Sequence, residues 1–383
     1  MFVWDERFYF DHAATTPLHP RAREAMREVM DLPLANPAST HAPGRAARAL
    51  LERARSTLAE LLEVDPKTLI FTSGATEANA TALYGALRAQ EKRRRRVIST
   101  PIEHASIRAH LDGLSALGYE VDYVDVDQEG TVDLASLDAL LSEDTALVVV
   151  IGGHNELGTV QPLRAIAERT RRAGAYLHVD AVQMPASMRF TIPEIQADYL
   201  TLSAHKVGGP VGSGLLYVAP GAPFEPLLKG GEQEGGRRSG TQDVVGAVGF
   251  AAALRALWDE LAFHVARYHT YAHMLIETLR ASGLNVFKNG AKEGLAHILN
   301  VSLCGVPADL LLVRLDLMGV YLSRGSACAA GVEKPSEVLK HLGLPVNRVE
   351  SAVRISFGPS NDETSVQEAA QTMAQVARAL SRS

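Results

Sequence analysis

Between residues 68 and 218 one pattern repeats: a short apolar run, a cluster of small or polar residues, then a stretch with helical spacing. The apolar runs fall at 68–71, 96–100, 120–126, 146–151, 176–179 and 199–202, with a last one at 215–218. Helical spacing follows at 75–90, 105–117, 134–141 and 162–173. Strand–helix alternation of this kind dictates a mostly parallel sheet with helices on both faces. The run ALVVVI at 146–151 has no polar position, as a strand covered on both faces requires. Ligands of open α/β sheets bind beyond the carboxyl ends of the strands. Polar residues collect at those ends here: Thr72 to Thr76, His104, Asn155, Asp180 with Gln183, and His205 with Lys206. Five clusters on one edge point to one shared pocket.

Two of these clusters have a plain physical use. The turn TSGATE after residue 71 opens a helix, where free backbone N–H groups and the helix dipole favour an anion. The need to cap a helix produces the same residues. Lys206 stands at the end of the 199–202 run, before Gly208, Gly209, Gly212 and Gly214. Those glycines allow close backbone approach, although a surface lysine at a hairpin tip would read alike.

The rest of the chain is organised around this unit. Helices are expected at 20–30 and 45–62, and residues 8–16 read as a short strand leaving into a turn. After Pro220 a glycine-rich charged loop, KGGEQEGGRRSGT (229–241), precedes a long helix over 244–282. Strands at 298–303, 320–322 and 352–356 and helices at 310–317, 336–342 and 363–380 make a smaller α+β part. At 383 residues the chain is long enough for two domains. The boundary is read near 255, giving 15–255 as the large domain and 1–14 with 256–383 as the small one. A net charge of −6 and one short basic run at 92–96 argue against nucleic acid or an anionic membrane as partner. No apolar run reaches the length of a spanning helix. Two cysteines, Cys304 and Cys328, form no disulfide framework or zinc spacing, so a cytoplasmic setting is expected. Cys304, in LNVSLC, is read as a core residue, and His178 as structural. Asp180 by itself could be a helix cap, and His12, His41 and His154 could be polar turn residues.

Ten segments carry a resemblance: DHAATTP (11–17), NPAST (36–40), FTSGATEAN (71–79), EHASI (103–107), HNELGTVQP (154–162), HVDAVQ (178–183), SAHKVGGPVGSG (203–214), RRSGTQ (237–242), GSAC (325–328) and RISFG (354–358). In this order, and over nearly the whole chain, they are similar to the cysteine desulfurases. These are pyridoxal-phosphate enzymes of the class V aminotransferase group, here of the type with the longer catalytic-cysteine loop. The resemblance implies the fold type I of pyridoxal-phosphate transferases, a large domain with a mostly parallel seven-stranded sheet and a smaller α+β domain. It implies removal of sulfur from L-cysteine, giving L-alanine and a persulfide on Cys328 that passes to an acceptor protein for iron–sulfur cluster assembly or tRNA thiolation.

The resemblance also implies roles. Lys206 is the Schiff-base lysine, made nucleophilic by a lowered pKa. Asp180 pairs with the pyridinium nitrogen and keeps the ring an electron sink. Gln183 donates to the ring oxygen, and His104 stacks on the ring and serves as acid or base. Ala75, Thr76, Ser203 and His205 hold the phosphate. Thr241 reaches it from the other subunit of a homodimer. Asn155, which also lies against the cofactor, and Arg354 hold the substrate carboxylate, a planar group suited to a guanidinium. Cys328 attacks as thiolate, in a small, glycine-containing segment suited to a mobile carrier.

Two positions depart from the family pattern: His154, where relatives often carry Asn, and Ala181-Val182. They leave the core chemistry intact and bear on substrate discrimination. The alternative activities are selenocysteine lyase or another class V aminotransferase-like enzyme, and Cys328 in its GSAC context argues against an aminotransferase. A scaffold that had lost catalysis would lack Lys206, Asp180 or Cys328, and all three are present.

Overall fold

The computed structural model describes residues 4–90, 93–325 and 335–381. Two helices lead in, Pro20–Met30 (α1) and Ala42–Leu62 (α2). The alternation then runs Leu69–Thr72 (β1), Ala75–Ala89 (α3), Arg96–Ser99 (β2), Ala105–Leu114 (α4), Glu120–Tyr123 (β3), Leu134–Leu140 (α5), Thr145–Ile151 (β4), Leu163–Arg172 (α6), Tyr176–Asp180 (β5), the single turn Ile192–Ile195 (α7), Tyr199–Ser203 (β6) and Gly214–Val218 (β7). All seven strands form one sheet in the order β1-β7-β6-β5-β4-β2-β3. Only β7 is reversed, antiparallel to both β6 and β1. That reversal has a consequence for the site. An antiparallel pair needs no crossover helix, so β6 and β7 can be joined by the short glycine turn that carries Lys206.

The expected mostly parallel sheet is therefore present, and β4 is buried at every position. Register sets Ile151 beside Asp180 and Asp180 beside Thr201, so β4 and β5 end level and β6 runs two residues further, to Ser203. α2 starts three residues earlier than its apolar spacing suggests, because His41 caps it by accepting from the Gly44 N–H. It buries Ala47, Leu51, Ala54, Leu58 and Leu62, one stripe at helical period.

The second half begins with Val244–Ala281 (α8), one continuous helix of 38 residues capped by Asp243. Its first half packs into the core under the large sheet through Phe250, Leu254, Trp258 and Leu261. Its second half packs into a separate core through Tyr268, Tyr271, Leu275 and Leu279. Then follow Val286–Asn289 (β8), Ile298–Leu303 (β9), Ala308–Leu317 (α9), Glu337–His341 (α10), Val346–Glu350 (α11), Ala352–Ser356 (β10) and Glu363–Leu380 (α12). The three strands make an antiparallel sheet in the order β10-β9-β8. Among the described residues no helix is long and apolar enough to cross a membrane.

Several local expectations are corrected. Residues 8–16 form no strand; they make single bridges, Tyr9 to Tyr321 and Asp11 to Ser356, while Phe10 lies in the second core edge-on to Phe357. Residues 320–322 likewise give only a bridge at Tyr321. The run has one neighbour at a time there, too little to propagate a ladder. β8 has no apolar alternation to announce it: Phe287 and Lys288 are exposed between buried Val286 and Asn289. Its strand character comes from pairing with β9. Cys304 lies one residue past β9 and is half-buried, outside the core.

The glycine-rich loop before α8 is anchored by a buried ion pair. Arg55 of α2 donates from Nη1 to Glu234 Oε2 at 2.6 Å and from Nη2 to Oε1 at 2.9 Å. Glu234 Oε2 also accepts the Phe71 N–H at 3.0 Å, and Arg55 lies over the Phe71 ring. Glu234 has φ of 52°, a strained value for a non-glycine residue, held by these contacts. Removing one partner of such a pair strands a buried charge. Glu234→Gln is expected to destabilise the fold by about 3 kcal/mol or more, read as a lowered urea midpoint. A matched Arg55→Met/Glu234→Leu chain recovers most of that loss. Equal midpoints for wild type and Glu234→Gln would refute the role.

Candidate active site

A cavity of about 460 Å³ opens at the carboxyl ends of the large sheet. Ala75, Thr76, His104, Asn155, Asp180, Gln183, Ser203, His205, Lys206 and Arg354 all line it. Thr241 does not line it; it lies exposed on the loop before α8. Cys328 lies outside the described residues.

Lys206 ends a single turn after β6. Its Nζ donates to the carbonyls of Ala13 and Ala14, each at 2.7 Å. The segment 11–16 is thereby drawn across the sheet edge, and the Thr16 N–H returns to His205 O at 2.8 Å. Gly208, at φ of 76°, lets the chain turn back immediately after the lysine. Gly214 opens β7 where a Cβ would stand 2.6 Å from Gly74 Cα, so the lysine turn and the β1–α3 turn are in contact only because that side chain is missing.

Asp180 is the last residue of β5 and is buried. Asn79 donates to its Oδ2 at 2.8 Å and the Val182 N–H to its Oδ1 at 3.1 Å. Asn79 itself is fully buried in α3 and also donates to Ser106 Oγ at 3.0 Å. His104 caps α4: its Nδ1 accepts from the Ser106 N–H at 3.1 Å, which leaves the ring hydrogen of the neutral form on Nε2. Gln183 donates from Nε2 to Ala13 O at 2.9 Å, and its Oε1 faces His297 Nε2 at 3.2 Å.

Arg354, on β10, is 1% exposed. Its Nη1 donates to Asn155 O at 2.9 Å and its Nη2 to Asp11 Oδ1 at 2.6 Å, while Nε is buried without a partner among the described residues. Among the described residues the His178 ring hydrogen-bonds only with Thr201 Oγ1. Burial holds its ring down to a pKa of about 3, the behaviour of a structural imidazole.

The end of the cavity at α3 suits an anion. Gly74 caps α3 without a side-chain bond to its first N–H groups. Ser203 Oγ is buried and has no partner among the described residues. Burial, and then Lys206, push His205 down to about 4, so it offers a neutral ring, bonded to Thr15 Oγ1. Glu77 would repel a phosphate there, but its carboxylate is engaged by Arg238 at 2.7 Å and by the Ser73 N–H at 2.8 Å. The residues present therefore fit pyridoxal phosphate. A dianion cradle with an unmet hydroxyl, a buried carboxylate for a protonated ring nitrogen and a lysine amine share one cavity.

Asn79, Asp11 and His297 join the site without any local sequence signal of the bonds they make. Asn79 and Asp11 fall inside quoted motifs, and the signal that could have found Asn79 is a polar residue on the buried stripe of α3. Glu103, next to His104, is a further case. Its Oε1 accepts from Thr100 Oγ1 at 2.7 Å and from the Ile151 N–H at 2.9 Å, while Oε2 has no partner among the described residues. Burial, with some repulsion from Asp180, raises its pKa from 4.5 to about 8. The folded protein thus keeps a proton that the unfolded chain releases above 4.5. The stability from this group is complete below pH 4.5 and is lost as pH rises through 8. Glu103→Gln should flatten the decline in denaturation midpoint between those values. Parallel profiles for variant and wild type would exclude a protonated Glu103.

The family model described as aminotransferase class-V matches residues 8–368. The IscS 1 chain of Bacillus subtilis is 39% identical over 377 residues, 98% of this chain and 100% of that one. The cysteine desulfurase IscS of Dictyoglomus turgidum is 34% identical, covering 91% of this chain and 89% of its own. A solved structure of a NifS-like protein superposes with a TM-score of 0.91 at 34% identity, over 97% of this chain and 99% of that one.

Proposed function

The chain belongs to the aminotransferase class-V family, and on that premise we propose that it is a cysteine desulfurase using pyridoxal 5'-phosphate. The observation that carries this is the meeting of Lys206 Nζ, the Asp180 carboxylate and the cradle of Ser203 and α3 in one cavity, with buried Arg354 on its wall. When bound, the cofactor supplies an aldehyde for the substrate amine and a conjugated ring that takes up electrons from it.

The chain's own residues do the rest. Ser203, His205 and the N–H groups at Ala75 and Thr76 hold the phosphate. Asp180, oriented by Asn79, keeps the ring nitrogen protonated. Gln183 donates to the ring oxygen, and His104 moves a proton at Nε2. Asn155 and Arg354 hold the carboxylate of L-cysteine, and the unmet Arg354 Nε is a donor for it. Cys328 takes the sulfur. Net, the Cβ–S bond of cysteine breaks, an S–S bond forms on Cys328, and the thiol hydrogen given up there ends on Cβ as L-alanine. Support for Cys328 comes from its tether. Ser323 pairs through its backbone with Arg354, donating at 3.3 Å and accepting at 2.7 Å. Gly325 follows two residues later, and Cys328 reaches at most about 11 Å from it.

Thr241 acts on the cofactor of a second copy, so the active form is a homodimer. Support comes from its exposure and from the anchoring of its loop by Glu234 and Arg238. The division into 15–255 and 1–14 with 256–383 belongs to the same proposal, supported by the two cores that share α8. The persulfide passes to an acceptor protein of cluster assembly or tRNA thiolation in the cytoplasm.

Lys206→Ala should lose the visible absorption of the bound cofactor. Cys328→Ala should keep that absorption and lose persulfide and alanine formation from L-cysteine by at least about a hundredfold. A colourless wild-type protein that takes up no pyridoxal phosphate would exclude the cofactor. A Cys328→Ala chain with full desulfuration would exclude Cys328 as acceptor.

A further inference from the structure

Behind Gln183 runs a hydrogen-bond chain, buried at Gln183 and His297 and half-buried at Ser187, with only one consistent arrangement of protons. Gln183 Nε2 lies 2.9 Å from the Ala13 carbonyl, which can only accept. The amide nitrogen is therefore on that side, and Oε1 faces His297 Nε2 at 3.2 Å. An amide oxygen cannot donate, so the His297 hydrogen is on Nε2. His297 Nδ1 is then an acceptor, and Ser187 Oγ at 2.6 Å is the hydroxyl that donates to it. Ser187 Oγ in turn accepts the His297 backbone N–H at 3.0 Å. The His297 carbonyl is held by the Phe357 N–H at 2.8 Å. At the other end, the Ala13 carbonyl that receives Gln183 also receives Lys206 Nζ at 2.7 Å.

Gln183 has two N–H hydrogens. One is spent on Ala13, and the other has no partner among the described residues. We propose that His297, held by Ser187, is a positioning residue that locks the Gln183 amide so that this second N–H is presented to the ring oxygen of the cofactor. His297 is not among the residues lining this cavity; it borders a neighbouring one of about 240 Å³ that also reaches Lys206, and its action on the ring oxygen runs through Gln183. Its ring stays neutral at working pH, because burial, and then the nearby His12, Arg354 and Lys206, hold it down to about 3. The bond to Gln183 is therefore constant across the range in which the enzyme operates. The residue comes from the chain entering β9 of the small sheet, so the small sheet helps set the hydrogen bonding of a site on the large one. This inference rests on the cofactor assignment made above.

The test is a pH titration of the visible absorption of the cofactor-loaded enzyme, with kcat and KM for L-cysteine beside it. A donor on the ring oxygen favours its deprotonated form. Losing the aligned donor in His297→Leu should raise the titration midpoint by about one pH unit and lower kcat/KM about tenfold. His297→Gln keeps an N–H donor at similar reach and should return the midpoint close to wild type. Ser187→Ala frees the ring to adopt either tautomer and should shift the midpoint the same way by less. Equal midpoints in wild type, His297→Leu and Ser187→Ala would overturn the inference. So would equal shifts in His297→Leu and His297→Gln, since packing alone would then explain them. If His297→Leu does not fold, an unshifted Ser187→Ala overturns it. A wild-type protein with no visible band would instead overturn the cofactor assignment, and the inference with it.

Discussion

Every ionised side chain buried at the carboxyl edge of the large sheet needs a partner, because an unpaired charge there would cost several kcal/mol. Arg354 is met by Asp11 and the Asn155 carbonyl, Asp180 by Asn79 and the Val182 N–H, and Lys206 by two carbonyls at Ala13 and Ala14. Glu103 has no cation and stays protonated instead. Two of these solutions, and the amide of Gln183 as well, recruit the same short segment, 11–14. That segment has no regular structure of its own, yet it is fixed between the two sheets because three polar groups need its carbonyls and its carboxylate. The site is polar and buried at once for this reason.

The position of that segment depends in turn on the two cores. Phe10 packs with Phe357 and Tyr268 lies stacked on the same ring, so the strap and the end of β10 share apolar cover. α8 runs from one core to the other as a single rod. It holds β10, and with it Arg354 and the approach to His297, against the edge where Lys206 sits. On the far side, the Arg55–Glu234 pair gives the loop carrying Thr241 a fixed root in β1 and α2. One molecule thus offers a cavity and, beside it, a rooted loop whose Thr241 is exposed and lies outside the cavity lining.

Much of this was legible in the chain. α1, α12, β9 and β10 begin and end where their periodicity says they should, because burial of one face imposes a period that the residues must repeat. The polar clusters at the strand ends were legible because each interrupts an apolar run. Elements that depend on a distant partner were not. β8 alternates poorly and exists by pairing with β9. Residues 8–16 looked like a strand but find only single bridges. Asn79 and Asp11 sit in recognisable motifs without any local sign of what they bond, and His297 lies in a segment with no motif at all.

The sequence by itself determined the class of architecture, the edge on which the site lies and the kinds of group gathered there, since those follow from period and chain order. Only the tertiary structure decided how the groups are held. Arg354 finds Asp11 343 positions away, Gln183 finds Ala13 170 away and His297 114 away. Hydrogen-bond partners at such separations leave no local pattern, because they are chosen by which surfaces the two cores bring together and by the cost of leaving a buried polar group unmet.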